Sequence, residues 1–280
     1  MTEELTITID NGVSRLTVGG ANCEFKLMAY SGLAAADFDV QMSAGGASDG
    51  GYITSARLSS RTLDMKFDFG GSTAEAVRQS LILFFAPARR LTVTVQRGGV
   101  VRKIEGHTAD FDISEKNRYA RSVVNLSVLC PDPYFKADAM GFVTPAVQTP
   151  LFRLPCHSPF AVGVISHPDD LEIFNSGDTY ADMIAELAAD TAVTNPFILN
   201  RTNGKRIKAS GTLSSGNILR ISTVRRAKGA WINGAACLID PVSRFSDFLE
   251  TGLNQLTFGS DEGTGNISAS VQCTSLFYGI

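Results

Sequence analysis

Arg61-Thr-Leu-Asp-Met-Lys-Phe-Asp-Phe69 alternates apolar and polar side chains without a break, and with Tyr52 to Leu58 before it shows the two-residue period of a half-buried strand pair. Leu58, Leu63, Met65, Phe67 and Phe69 stand against Arg57, Asp64, Lys66 and Asp68, and Gly70-Gly71 ends the period. Ser72 then precedes Glu75 by a capping-box spacing, which predicts a helix with Ala76, Val77, Leu81, Phe84 and Phe85 on its apolar face. Pro87 stops it, because it removes a donor and drives Ala86 from helical geometry. Leu91 to Gln96 and Val100 to Gly106 follow as strands across Arg97-Gly98-Gly99, and a third is expected over Ala120 to Leu129 after the polar turn Ser114 to Asn117. Cys130-Pro-Asp-Pro-Tyr-Phe135 closes the run, since prolines 131 and 133 forbid a central strand.

A chain of 280 residues, 44% hydrophobic and 19% charged, has the profile of two folded domains with separate cores. Its 26 glycines, set among recurrent Thr, Val, Ile and Phe, favour many short strands. A net charge of −3 without a long basic or acidic run argues against a nucleic-acid groove or an anionic membrane as partner. Five cysteines, at 23, 130, 156, 237 and 273, include no Cys-x-x-Cys pair and fit reduced, mostly buried thiols made in a cytosol. Met1-Thr-Glu-Glu-Leu5 is no secretory signal, and no apolar run is long enough for membrane insertion.

Asn11-Gly12, Asn203-Gly204 and Asn233-Gly234 each mark a hairpin, because a type I′ turn needs positive φ at both central residues. Ser43 to Gly51 reads as a mobile loop, and Lys136 to Pro150, with Pro145 and Pro150 and no period, as the linker between domains. The second half shows about eight short strands, the pattern of an antiparallel sandwich or jelly roll. Asp182 to Asp190 has helical propensity, yet Met183, Ala185, Leu187 and Ala189 also alternate with more polar neighbours, so its residues leave helix and strand both open. Ser275 to Ile280 is taken as that domain's last strand.

No reaction is written in the sequence. Gly46-Ala-Ser48-Asp-Gly50 matches the nucleophile pattern of serine hydrolases, but a glycine-rich loop precedes it and a strand follows, where the chemistry requires a strand turning into a helix. His107, His157 and His167 lack metal-ligand spacing, although Cys156-His157 and His167 with Asp169 and Asp170 could converge. We assign no catalytic, cofactor or metal residue. Arg89, Arg90, Arg97, Arg102 and Lys103 are candidates for a protein interface, against the reading of a solvated hairpin. Trp231, the one tryptophan, is the candidate for stacking on a sugar ring, against hairpin packing; weak or no glycan binding is expected.

Several pieces in order carry a resemblance: Asp49-Gly50-Gly51, Arg61-x-Leu63, a helix ending in Phe-x-Pro, the Gly-Gly hairpin, and Cys130 to Phe135. Farther on come Phe174, Asn175, Gly177 and Asp178, then Gly252-x-Asn254 and Tyr278-Gly-Ile280. Together they resemble the distal tail proteins of siphophages, the hubs of phage or prophage tails. The resemblance implies a mainly β fold with one helix, and with it strand over Asp182 to Asp190. A β-sandwich-like, ring-forming belt domain would occupy 1–137, a linker 138–150, and a galectin-like β-sandwich 151–280. It also implies a structural, non-enzymatic virion protein, made in the bacterial cytoplasm and placed at the distal tip of the tail. There it would form a homo-hexameric hub ring that joins the tail tube to tail-tip, fibre, receptor-binding or baseplate proteins. Its lumen would pass the tape measure and DNA, without specific nucleic-acid binding. The alternative is a carbohydrate-binding module on a phage or bacterial β-protein that adheres to the host surface.

Overall fold

The computed structural model describes residues 5–21, 23–44, 46, 49–70, 74–114, 121–138, 141–143, 147–149, 164–166, 170–263 and 267–280. Their contacts form two compact units, Met1–Asp138 with Phe277–Ile280, and Ala139–Leu276. Of the linker expected over 138–150, residues 139, 140, 144–146 and 150 lie outside the described residues, while Gly141–Val143 is a strand paired with residues 271–273 of the second unit. Phe277–Ile280, expected to close the second domain, groups with the first unit instead.

In the first unit β1 (Leu5–Asp10), β2 (Arg15–Gly19), β3 (Lys26–Ser31), β4 (Phe38–Ala44), β5 (Gly51–Leu58) and β6 (Arg61–Phe69) lead into α1 (Ala74–Phe84). After it come β7 (Arg90–Arg97), β8 (Val100–Ser114), β9 (Ser122–Cys130) and β10 (Phe135–Ala137). The main antiparallel sheet runs β2-β1-β7-β8-β9-β6-β3. β8 turns a corner in it: residues 100–107 pair with β7, residues 107–114 with β9, and the register slips between Thr108 and Asp110. Such a bulge lets one strand serve two layers of a sandwich. Bridging of Val18 to Phe25 brings the two edge strands together, so that Ile7, Ile9, Phe67, Val93, Ile104 and Val124 are enclosed.

β6 follows its sequence period, with Arg61, Leu63, Met65, Phe67 and Phe69 buried and the residues between them outward. β5 does not. It pairs only with β4, as a ribbon separate from the main sheet, and six of its eight residues are exposed.

α1 is the helix the sequence predicts; the capping residue Ser72 lies outside the described residues. Leu81 and Phe84 are buried and Ala76 is exposed, so the apolar face is narrower than the wheel suggests. Asn11 Nδ2 donates to the Phe84 carbonyl at 3.1 Å, tying the helix end to the β1–β2 turn. Truncating Leu81 or Phe84 to Ala is expected to lower stability by about 2–3 kcal/mol each, the low end for buried residues, because a surface helix can settle into the space. Thermal melts of the two variants check this; curves that overlay the wild type would show a helix not anchored by these side chains.

The second unit is a β-sandwich. Gly141–Val143, Ile267–Thr274, Asp182–Ala189, Ile218–Ser222, Gly229–Ile232 and Ala235–Ala236 form one sheet in that order, and Asp170–Asn175, Gly252–Gly259, Phe197–Asn200 and Lys205–Lys208 the other. Asp182–Ala189 is strand, with Met183, Ala185, Leu187 and Ala189 all buried in the core. Packing on a sheet face outweighs their helical propensity. Asn233 (φ 48°) and Gly234 (φ 86°) make the two-residue turn expected of them. Asn203-Gly204 instead sits in a four-residue connection, and only Gly204 has positive φ.

Candidate functional site

Motif residues far apart in the sequence meet at Arg61. Its side chain is 2% exposed at the start of the inward row of β6, where a guanidinium must find acceptors for its donors. Nε donates to the Pro133 carbonyl at 2.8 Å, Nη1 to the carbonyls of Gly32, at 2.5 Å, and Ala34, and Nη2 to that of Tyr278. The ring of Phe135 covers the cation at 4.8 Å. Cys130-Pro-Asp-Pro-Tyr-Phe135 thus supplies an acceptor and an aromatic lid, and Gly32, at φ +81°, lets the chain pass where a Cβ would strike the Thr62 carbonyl. Burial lowers the pKa of Arg61 from its ordinary value. Arg102 repeats the device: its guanidinium lies over Phe277 at 3.7 Å and donates to the Gly279 carbonyl. Ile280 N donates to Leu33 O at 3.0 Å, and the Tyr134 and Tyr278 rings lie 5.8 Å apart. Phe277–Ile280 is therefore latched into the first unit.

The β4–β5 ribbon has two unlike faces. Cross-strand partners Phe38 and Leu58, Val40 and Ala56, and Met42 and Ile53 make one face apolar; Asp39 and Arg57, Gln41 and Ser55, and Ser43 and Tyr52 make the other. The Asp39–Arg57 ion pair, at 2.8 Å, fixes the second face. On the first, Phe38 is 68% exposed, Met42 72% and Ile53 67%. A two-stranded ribbon is marginal in water unless its apolar face is covered, and a contiguous bare patch marks an interaction surface. Thirteen of the nineteen exposed large apolar residues among those described belong to the first unit, which makes it the stickier of the two.

The basic interface candidates are mostly engaged inside the protomer. Arg90 pairs with Glu105, Lys103 with Asp138 at 2.5 Å, and Arg102 is taken by the latch. Arg97 lies beside Arg102, Val100 and Ile280 around a shallow depression, and Arg89 N donates to Ala86 O in the turn after α1. Trp231 stands in the strand Gly229–Ile232, directly across from Arg220. His157, His167, Cys156, Ala47 and Ser48 lie outside the described residues. Cys23, Cys130, Cys237 and Cys273 are free thiols; burial pushes Cys130 up to about 12 and Cys273 up to about 11, so neither is a ready nucleophile. Asn175 and Asn254 both donate to the Glu250 carbonyl, which explains two residues of the resemblance as loop ties.

Among solved structures, the Dit protein of phage SPP1, described as a paradigm of the hub adsorption apparatus in phages infecting Gram-positive bacteria, superposes with a TM-score of 0.62. The match covers 97% of this chain and 99% of that one at 13% identity. The fold is that of a phage distal tail hub. Two structures of the activated baseplate of phage p2, with calcium and with strontium, align over 98% of both chains at 11% identity, with TM-scores of 0.49 and 0.48. No protein-family model matches the sequence, and neither does any curated protein. Among the described residues no helix is long and apolar enough to cross a membrane.

Proposed function

We propose that this chain is the structural hub of a phage tail tip, a non-enzymatic protein that assembles through its first unit into a hexameric ring between the tail tube and the tail-tip, fibre or baseplate proteins. The ring's lumen passes the tape measure and then DNA, and the second unit serves as a docking surface for other tail components. The observation that carries this reading is the bare apolar face of the β4–β5 ribbon, on a unit that shares the fold of a known hub. An arm from one copy laid on a different surface of the next makes a head-to-tail contact, and such contacts close into rings when the rotation allows. The carbohydrate-module alternative gives the arm nothing to do.

Light scattering on the full-length protein tests the proposal. The expected mass is about six times the 29.9 kDa of the chain. A monomer at every accessible concentration would remove the ring, and with it the hub.

A further inference from the structure

The geometry points to a saccharide-binding site on the outward face of the second unit, centred on Trp231 and Arg220. It does not rest on the ring reading. In the strand Gly229–Ile232, Ala230 points into the core and Ile232 packs against it, so Trp231, between them, faces outward. Its indole folds back over Gly229: a Cβ at 229 would stand 2.9 Å from Cη2 and push the ring from this seat on the strand. A depression of about 530 Å³ opens beside it, lined by Arg220, Ser222, Ile184 and Val224 among others. That size suits a small-molecule site.

The residues across the sheet here are polar in sequence. The registers place Ser270, Glu186, Arg220 and Trp231 opposite one another on four adjacent strands. Neighbouring strands lie about 4.8 Å apart, so an acceptor, a five-donor cation and an aromatic platform follow at about that step. Neither the Arg220 nor the Glu186 side chain has a hydrogen-bond or ion-pair partner among the described residues. Hairpin packing explains the indole but not the unpaired guanidinium directly across from it, nor the unpaired Glu186 carboxylate one strand beyond that. A sugar ring has apolar C–H faces for the indole and hydroxyls that both accept from an arginine and donate to a carboxylate. The opposite charges of Arg220 and Glu186 favour a neutral saccharide, because an anionic one would be repelled at Glu186.

Trp231 is the single tryptophan, so the emission of the full-length protein reports on this site alone. Titration with glucose, galactose, N-acetylglucosamine, rhamnose and lactose is expected to give a saturable change with at least one of them, and none with glucuronate. Arg220→Ala should weaken that binding by about tenfold or more, through the loss of a charged donor. Arg220 is exposed, so the variant's melting curve should overlay the wild type. No response to any neutral sugar, binding of glucuronate alone, or binding untouched by both Arg220→Ala and Trp231→Ala each overturns the inference. All three outcomes are read at whatever mass the protein has in solution, so they stand apart from the test of the ring.

Discussion

Replacing Arg61 with Met is expected to lower the melting temperature of the full-length protein by roughly 10 °C or more, for a loss of about 3–5 kcal/mol. The substitution leaves the carbonyls of Gly32, Ala34, Pro133 and Tyr278 without the donors they now share. A buried acceptor that loses its partner costs about 1 kcal/mol or more, and the space beneath Phe135 adds to that. Relief from burying a cation offsets part of the loss, which keeps the total below the sum of four broken bonds. Arg61→Lys separates charge from geometry. A lysine keeps the charge, but its compact ammonium cannot span four acceptors, so it should recover less than half of the loss. A melting temperature within about 2 °C of wild type for both variants would mean that the latch contributes nothing to stability.

Phe38→Asp combined with Met42→Asp is expected to take the assembly apart into single chains and leave the protomer's melting curve where it was. Both side chains are exposed within the protomer, where substitutions change stability by about 0.5 kcal/mol or less. At an interface the same two positions are apolar anchors, each worth about 2 kcal/mol, so the pair weakens every contact by roughly a thousandfold. In a ring each copy makes two such contacts, and both are hit. Sedimentation velocity reads the result directly. An assembly of unchanged mass would move the interface off the ribbon, whatever the fold.

Local patterns made much of the fold legible. β6, α1 and the β7–β8 hairpin follow from residue period, helix breakers and turn chemistry within about a dozen positions, whereas at Asp182–Ala189 the local pattern fits helix and strand alike and packing on the sheet decides. Tyr52 to Leu58 alternates and yet is mostly exposed, because alternation reports two unlike faces and not what covers the apolar one. Arg61 stands out in the sequence only as the first residue of Arg61-x-Leu63. Its acceptors stand up to 217 positions away, and nothing within a local window tells a latched arginine from a solvated one. Trp231 stands out by its residue type, but its outward direction follows only from the core position of Ala230, and Arg220 and Glu186 are joined to it only by strand register.

The latch also bears on timing. A ribosome delivers Arg61 long before Tyr278, and at roughly 5–20 residues per second the 217 positions between them take on the order of 10–40 s to make. Throughout that interval the first unit lacks one acceptor for its buried guanidinium and the ring of Phe277 beneath Arg102, so its latch closes only after the second unit has been translated. Chains that stop short of Phe277 are therefore expected to be left out when tagged copies are co-expressed with full-length protein and pulled down. Synthesis itself would then act as the proofreader, passing on only subunits that already carry the whole of their second unit.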